Sequence, residues 1–591
     1  MRLAGSAVAA LMLAGACGTG AQPAGETSAA GRVSAPNAYS GWSEATYDGH
    51  KRSSFYVEVR DGTRLAVDLY RPTKGGVEAS EKLPVVWMHS PYNRRSYRNG
   101  EAAETYPGYA LRLVPHGYNV AVVDFRGVYA SFGTNVGYNR GEWVEAARHD
   151  AYDMTEWFAR QGWSNGKIGM WGCSATGGSQ MQALTTRPPS LKAVIPMSAE
   201  FDAYAFTTLG GVSSPRRIAP PNATGEAASI AMRDRVAAPV DGPDGAPLLA
   251  EAVASHKNNI ESVGVVPFKD SISQETGLEW WKISSPHTWL GELKKTDIGV
   301  LSVANWDEAG TRHGPFFTFN NLPKDNTKLL VGPATHCAWS AVKEETGFDL
   351  VTEELRFFDH WLKGKPNGVM EEPAVTYYTY NARPESAWRT SETWPLKSEM
   401  RTDYHLSASG GLGAAPAPAG AKPVAMTPPP VSQTVTIEPA TGAAIFETEP
   451  LAADVEVTGH PVMSLWIRTA AQDADAMTQI FDVAPDGTTR SYQMIGRLRA
   501  SHRKTAKAPY NHLGLPWRTH AQADASSIPV GVPVEMVYDL LPMSYIFKAG
   551  HRIRIAVSFS DPARGASPPD VEILTGGANA SRITLPVIPT R

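Results

Sequence analysis

The stretch KIGMWGCSATGGSQMQAL, Lys167–Leu184, sets a serine between glycines where a short apolar run gives way to a helical pattern. A serine oxygen is a weak nucleophile at neutral pH. It attacks a carbonyl when a base takes its proton and donors meet the oxygen that becomes charged. The string Gly172-Cys173-Ser174-Ala175-Thr176-Gly177 suits that task. Glycines on both sides permit a tight strand-to-helix turn, which exposes Ser174 Oγ and aims the Ala175 amide at the same point. The alternative is an ordinary turn serine, and the string alone does not exclude it.

A base and an orienting acid must follow, each in a loop after a strand. Asp307 follows VLSVANW, and His336 follows LLVGPAT. The chain has 15 His, so one histidine alone says little. His336 ends an apolar strand downstream of a strand-end aspartate, which sets it apart. Glu308 is the rival acid; neighbouring side chains at a strand end point apart, and Asp307, nearer the strand, is expected to face His336. Tyr92, in WMHSPYNRR, also follows a strand. Its hydroxyl suits a second oxyanion donor, with a ring merely packed over the site as the alternative.

These residues need a frame. From about Ser54 the chain alternates strand and helix patterns. SFYVEVRDGTRLAVDLYRP reads as a hairpin about Asp61-Gly62. LPVVWMHSPYN and GYNVAVVDFRG read as strands buried on both faces, and HDAYDMTEWFARQG as an amphipathic helix. The repeated β–loop–α units predict a doubly wound, mainly parallel sheet over residues 51–200 and 291–371. Residues 201–290 break the rhythm and read as a helical cap containing EAASIAMRDRVAA and PLLAEAVASHKNNIESV. Residues 372–591 carry short alternating runs such as AVTYYTYN and HRIRIAVSFS, the pattern of a β-sandwich, with Ser407–Pro430 as a long low-complexity loop.

A chain of 591 residues exceeds one core. Its net charge of −4 excludes the basic balance that nucleic-acid binding requires. Residues 1–21 read as a secretory signal, too short in its apolar run to span a bilayer. LAGAC, ending at Cys17, also reads as a lipobox, which would make Cys17 a lipidation site; plain cleavage after Ala21 is the other option. Residues 22–50 read as a flexible segment. An exported protein follows from either option: periplasmic, secreted or anchored. Neither a zinc-type ligand cluster nor a phosphate-binding glycine loop occurs, so neither metal nor cofactor is expected.

SPYN, VVDFRGVYASFG, GMWGCSATGGSQMQAL, the Asp307 and His336 loops, RFFDHWLKG and DVEVTGHPVMSLWI, in this order, resemble the cocaine esterase, α-amino-acid ester hydrolase and X-Pro dipeptidyl-peptidase group, the CocE/NonD hydrolases. The resemblance runs from about Ser54 to the C-terminus. It implies an α/β-hydrolase domain, a helical cap and a C-terminal jelly roll, with Ser174, Asp307 and His336 as the triad. It also implies Tyr92 and Ala175 as the oxyanion hole. Two departures stand out. Many relatives carry tyrosine directly after the nucleophile, where this chain has Ala175. The amino-acid ester hydrolases hold the substrate ammonium with clustered carboxylates, for which only Glu308 and Asp202 are at hand here.

The remaining cysteines, Cys173 and Cys337, flank the serine and the histidine. Cys-Ser…Asp…His-Cys is similar to tannases and feruloyl esterases, in which a disulfide joins these neighbours. Serine and histidine must approach within about 3 Å, which brings their neighbours near the separation of roughly 4.4–6.8 Å that a disulfide needs. Together these readings predict an exported serine hydrolase acting on small carboxylic esters, aromatic-acid esters among them. The alternatives are an amide-cleaving relative (β-lactam acylase, α-amino-acid ester hydrolase or X-Pro dipeptidyl-peptidase) and, from another class, a non-catalytic glycan-binding surface protein.

Overall fold

Asp61 and Gly62 turn the first hairpin, Gly62 with φ +84°, between β1 (Gly49–Glu58) and β2 (Arg64–Lys74). The computed structural model describes residues 31–98, 101–104, 110–212, 233–308, 310–427, 442–560 and 570–589. The expected signal segment and Cys17 lie outside the described residues.

After the hairpin come β3 (Leu83–Ser90), β4 (Asn119–Asp124), β5 (Ser164–Cys173), β6 (Leu191–Met197), β7 (Gly299–Asp307), β8 (Thr327–Thr335), β9 (Val375–Tyr378) and β10 (Trp388–Ser391). They lie in the order β1-β2-β4-β3-β5-β6-β7-β8-β9-β10, with the short strand Val77–Glu78 beside β2. Strands β3 to β9 pair in parallel, and antiparallel pairs close both edges. Every residue of β4 is buried, as is all of β3 after Leu83, which explains their unbroken apolar sequence.

The helices α1 (Asp150–Ala159), α2 (Ala175–Thr186), α3 (Gly245–Ser255), α4 (His313–Asn321) and α5 (Leu350–Lys363) belong to this half of the chain. In α1, Met154 and Phe158, four residues apart, are both fully buried. Asp349 caps α5 by accepting from the Val351 amide, and Gly364 stops it at φ +68°.

Several boundaries differ from the sequence reading. Residues 31–50, expected to be flexible, include the hairpin Val33–Ala35/Ala38–Ser40 docked on α5. Tyr39 donates to Asp359 at 2.8 Å, the Asn37 amide donates to Glu353 at 2.6 Å, and Arg356 donates to Ser34. AVTYYTYN, assigned to the sandwich, contributes β9 to the large sheet, with Leu329 facing Val375 in parallel register. Within the low-complexity loop, Val424–Met426 pairs with Val571–Ile573 as a strand; residues 428–430 lie outside the described residues. The cap holds α3 and short helices at Ala203–Thr207 and Trp280–Ile283. Most of EAASIAMRDRVAA lies outside the described residues.

From Met400 onward the chain forms two antiparallel sheets facing each other across one apolar core that includes Phe446, Leu465, Ile480, Phe547 and Ile555. This sandwich is bonded to the first half. Arg312, at the start of α4, donates to the carbonyls of Tyr492 at 2.8 Å and Pro542 at 3.2 Å. The Lys269 amide in the cap donates to the His520 carbonyl at 2.9 Å.

Candidate active site

The β5–α2 turn is built by contacts that only small residues permit. A Cβ on Gly177 would lie 2.4 Å from the Met197 carbonyl, and one on Gly172 would lie 2.4 Å from Thr176 Oγ1. Ser174 takes φ +63°, ψ −126°, a strained backbone that its surroundings must hold. They do so with buried polar groups. The Ser174 amide donates to the Met197 carbonyl at 3.0 Å, and Thr176 Oγ1 donates to the Cys173 carbonyl at 2.7 Å. Gln180 donates to the Gly172 carbonyl and accepts from the Ile195 amide.

Tyr92 stands over this turn. Its hydroxyl donates to Ser174 Oγ at 3.3 Å and accepts from the Ala175 amide at 3.3 Å. The three groups therefore converge on one point. An ion-pair cluster fixes the loop that carries Tyr92. Arg94 is fully buried against Asp68 and Asp124, each at 3.1 Å, and Arg95 meets Asp68 at 3.0 Å. Each of these groups is buried and paired, the condition under which burying charge is tolerable.

At the ends of β7 and β8 the structure corrects the sequence reading. His336 Nδ1 lies 2.5 Å from Glu308 Oε2. Asp307 instead accepts from Gln493 Nε2, at 3.3 Å, a residue of the sandwich. The premise that neighbouring side chains point apart holds, but their phase is reversed. Between Asn305 and Asp307 the β7–β8 register shifts from Asn305↔Gly332 to Asp307↔Thr335, which inserts one extra residue in β8. Glu308, one residue beyond the strand and one methylene longer, reaches the imidazole. Its side chain is 5% exposed and that of His336 48%, so the acid is sheltered while the ring stays open to the cavity.

Cys173 and Cys337 are bonded, with Cα atoms 5.9 Å apart across 164 residues of sequence. Donor atoms of Cys173, His336 and Cys337 lie within 4.8 Å of one another, but both sulfurs are bonded to each other, which leaves no ligand set for a metal.

Ser174, Asp307, Glu308 and His336 line a cavity of about 690 Å³. The cap contributes Asp202, Phe206 and Leu209 among others, and the sandwich contributes Gln493, Ile495, Arg497, Tyr510, His512, Trp517, Arg518 and Asp539. The sequence reading missed the sandwich wall. These residues carry no local motif, and only the tertiary docking brings them to the site.

Asp202 does not offer a free carboxylate. It caps the helix Ala203–Thr207 by accepting from the Tyr204 amide, pairs with Lys269 and lies 3.5 Å from His287. Burial pushes its carboxyl up, yet Lys269 and His287 outweigh burial and hold it well below the usual range. Glu200, also on the cavity wall, is paired with Arg140.

A parallel sheet in this order, with a serine on the turn after β5 and an acid–histidine pair after β7 and β8, defines an α/β-hydrolase of the serine type. Comparison with known proteins is consistent. Residues 61–338 match the X-Pro dipeptidyl-peptidase (S15 family) model, and residues 367–586 match the X-Pro dipeptidyl-peptidase C-terminal non-catalytic domain. A provisionally named serine esterase of Mycobacterium bovis is 29% identical over 92% of this chain and 96% of its own length. The cocaine esterase of a Rhodococcus strain is 27% identical over 86% and 90%. A CocE/NonD family hydrolase from Staphylococcus aureus shares the fold, with a TM-score of 0.69 at 20% identity over 92% of this chain and 97% of that one. The chain belongs to this two-part family of serine hydrolases.

Proposed function

We propose that this chain hydrolyses carboxylic esters of small acyl groups through an acyl-enzyme on Ser174, and that it works outside the cytoplasm. The carrying observation is that Tyr92 Oη meets both Ser174 Oγ and the Ala175 amide at 3.3 Å. A substrate carbonyl oxygen placed there receives two donors as its negative charge develops. Glu308 accepts from Nδ1–H of His336, which leaves Nε2 as the base. His336 takes the Ser174 proton as Oγ bonds to the carbonyl carbon. It then returns that proton to the departing alkoxide as the ester C–O bond breaks. Water repeats the sequence, Oγ leaves with the proton, and the free acid is released. Glu308 stabilises the imidazolium in both halves.

The ester reading is favoured over amine-bearing amide or peptide substrates because the cavity carboxylates have partners. Glu200 faces Arg140, Asp202 faces Lys269, Glu308 faces His336, Asp307 accepts from Gln493, and Asp539 lies 3.5 Å from His313. Recognising a substrate ammonium would require breaking one of these interactions. Export is supported by the N-terminal signal pattern and by a disulfide, a bond that persists in oxidising compartments.

The test compares an aryl ester, an N-acyl anilide and an X-Pro anilide, together with covalent labelling by a fluorophosphonate. Hydrolysis confined to the ester, with labelling lost in Ser174→Ala, is the expected result. Faster X-Pro anilide cleavage would replace the ester reading with a peptidase, and absence of labelling would remove the nucleophile assignment. A mature N-terminus that begins at Met1 would overturn export.

A further inference from the structure

Among the described residues, one cationic side chain on the cavity wall forms no ion pair and no side-chain hydrogen bond. Arg497 lies on the sandwich strand Ile495–Arg499, opposite Met477. Strand alternation turns Ile495 and Arg497 to the cavity, while Met494, Leu498 and Ala500 enter the sandwich core. Among the described residues, no carboxylate lies within ion-pair distance of its guanidinium, and its Nε is buried without a hydrogen-bond partner. The carboxylate that acts on it electrostatically is Asp475, which both Nε and Nη2 of Arg499 already hold, at 2.8 and 2.9 Å. The other wall arginine, Arg518, donates to the Val537 carbonyl and lies near Asp539. Burial keeps the rings of His512, down to about 4, and His520, well below the ordinary range, uncharged at neutral pH.

The chain also pins the backbone beneath Arg497. The cap turn Leu209–Gly211 packs on its strand so closely that a Cβ on Gly210 would lie 1.9 Å from the Arg497 carbonyl. Gly210, at φ +63°, is the residue that allows the approach. A half-buried guanidinium with an unpaired, buried Nε is costly unless a ligand completes the pair. Its planar fork of donors matches a carboxylate, and a single positive charge matches a monoanion.

We propose that Arg497 binds a carboxylate on the substrate, remote from the scissile ester, so that the preferred substrates are esters bearing a free acid group. This rests on the ester-hydrolase reading and names the substrate class for it. Arg497 and Ser174 line the same cavity of about 690 Å³.

The test measures kcat/KM for two matched pairs. In the first, para-nitrophenyl hydrogen glutarate against para-nitrophenyl pentanoate puts the carboxylate on the acyl side. In the second, 4-acetoxybenzoate against its methyl ester puts it on the alcohol side. Wild type is expected to favour the charged member of one pair by at least about ten-fold, the scale of a charge-assisted hydrogen bond. Arg497→Gln is expected to bring that ratio towards one, and Arg497→Lys to restore part of it. A purely structural role would lower both members equally and leave the ratio unchanged. Equal rates within both pairs in wild type, or a preference that survives in Arg497→Gln, would overturn the proposal while leaving the esterase reading intact. Failure of all four esters would overturn both.

Discussion

His336 Nδ1 sits 2.5 Å from Glu308 Oε2, whereas Asp307, the preceding residue, turns to Gln493 of the sandwich. In the proposed mechanism the acid that orients the base is therefore a glutamate one position past the strand. Replacing the orienting carboxylate of a triad by its amide typically costs about 10⁴ in kcat, because the imidazole loses its correct tautomer. Glu308→Gln is expected to lose about 10³–10⁴-fold in kcat on an aryl ester. Asp307→Asn, which keeps an acceptor for Gln493, should lose less than about ten-fold. Steady-state kinetics on the two variants decide the matter, and a larger loss in Asp307→Asn would reverse the assignment.

Tyr92 offers a second kinetic test. In the proposed mechanism its hydroxyl is the side-chain half of a donor pair whose other half is the Ala175 amide. Removing one oxyanion donor typically costs 10²–10³ in kcat, since the contact strengthens as charge develops. Tyr92→Phe is thus expected to lower kcat by about 10²-fold while KM moves by less than about three-fold. A variant that raised KM with kcat unchanged would make Tyr92 a packing residue.

The elbow, the sheet and the histidine were legible in the sequence because each depends on local chemistry. Gly177 is glycine since the Met197 carbonyl leaves no room for a Cβ, and β3 and β4 are continuous apolar runs because both faces are covered. The acid was not legible, because a one-residue register shift between β7 and β8 decides which of two adjacent carboxylates faces His336. Likewise, the docking of Tyr39 on α5 and the approach of Arg497 to the cavity join residues hundreds of positions apart, and no local pattern announces them.

The disulfide ties the neighbours of Ser174 and His336 across 164 residues, a loop that encloses the cap. Loop-closure entropy of that length corresponds to at most about 5 kcal/mol, with strain and residual structure in the unfolded chain reducing it. The double variant Cys173→Ser/Cys337→Ser is expected to melt well below wild type and to lose activity at temperatures where wild type is stable. Thiol titration of unfolded, unreduced protein should find neither cysteine free. Two reactive thiols from these positions would refute the bridge.

Glu354 gives a prediction about pH. It is buried in α5 and accepts from Trp171 Nε1 at 2.6 Å, on the strand that leads to Ser174. Burial pushes its carboxyl from 4.5 up to about 8. In the unfolded chain this group loses its proton near pH 4.5, but the folded protein keeps it until about pH 8. Across that window the native state holds one proton more, so the free energy of unfolding falls as pH rises. The contribution is complete below about pH 4.5 and gone above about pH 8. Glu354→Gln retains an acceptor for Trp171 and removes the ionisation. Its melting temperature should match wild type at pH 5 and exceed it by about 2 °C or more at pH 8.5. Calorimetry at the two pH values provides the check. A variant that is equally or less stable at pH 8.5 would show that burial does not raise the Glu354 carboxyl in the fold.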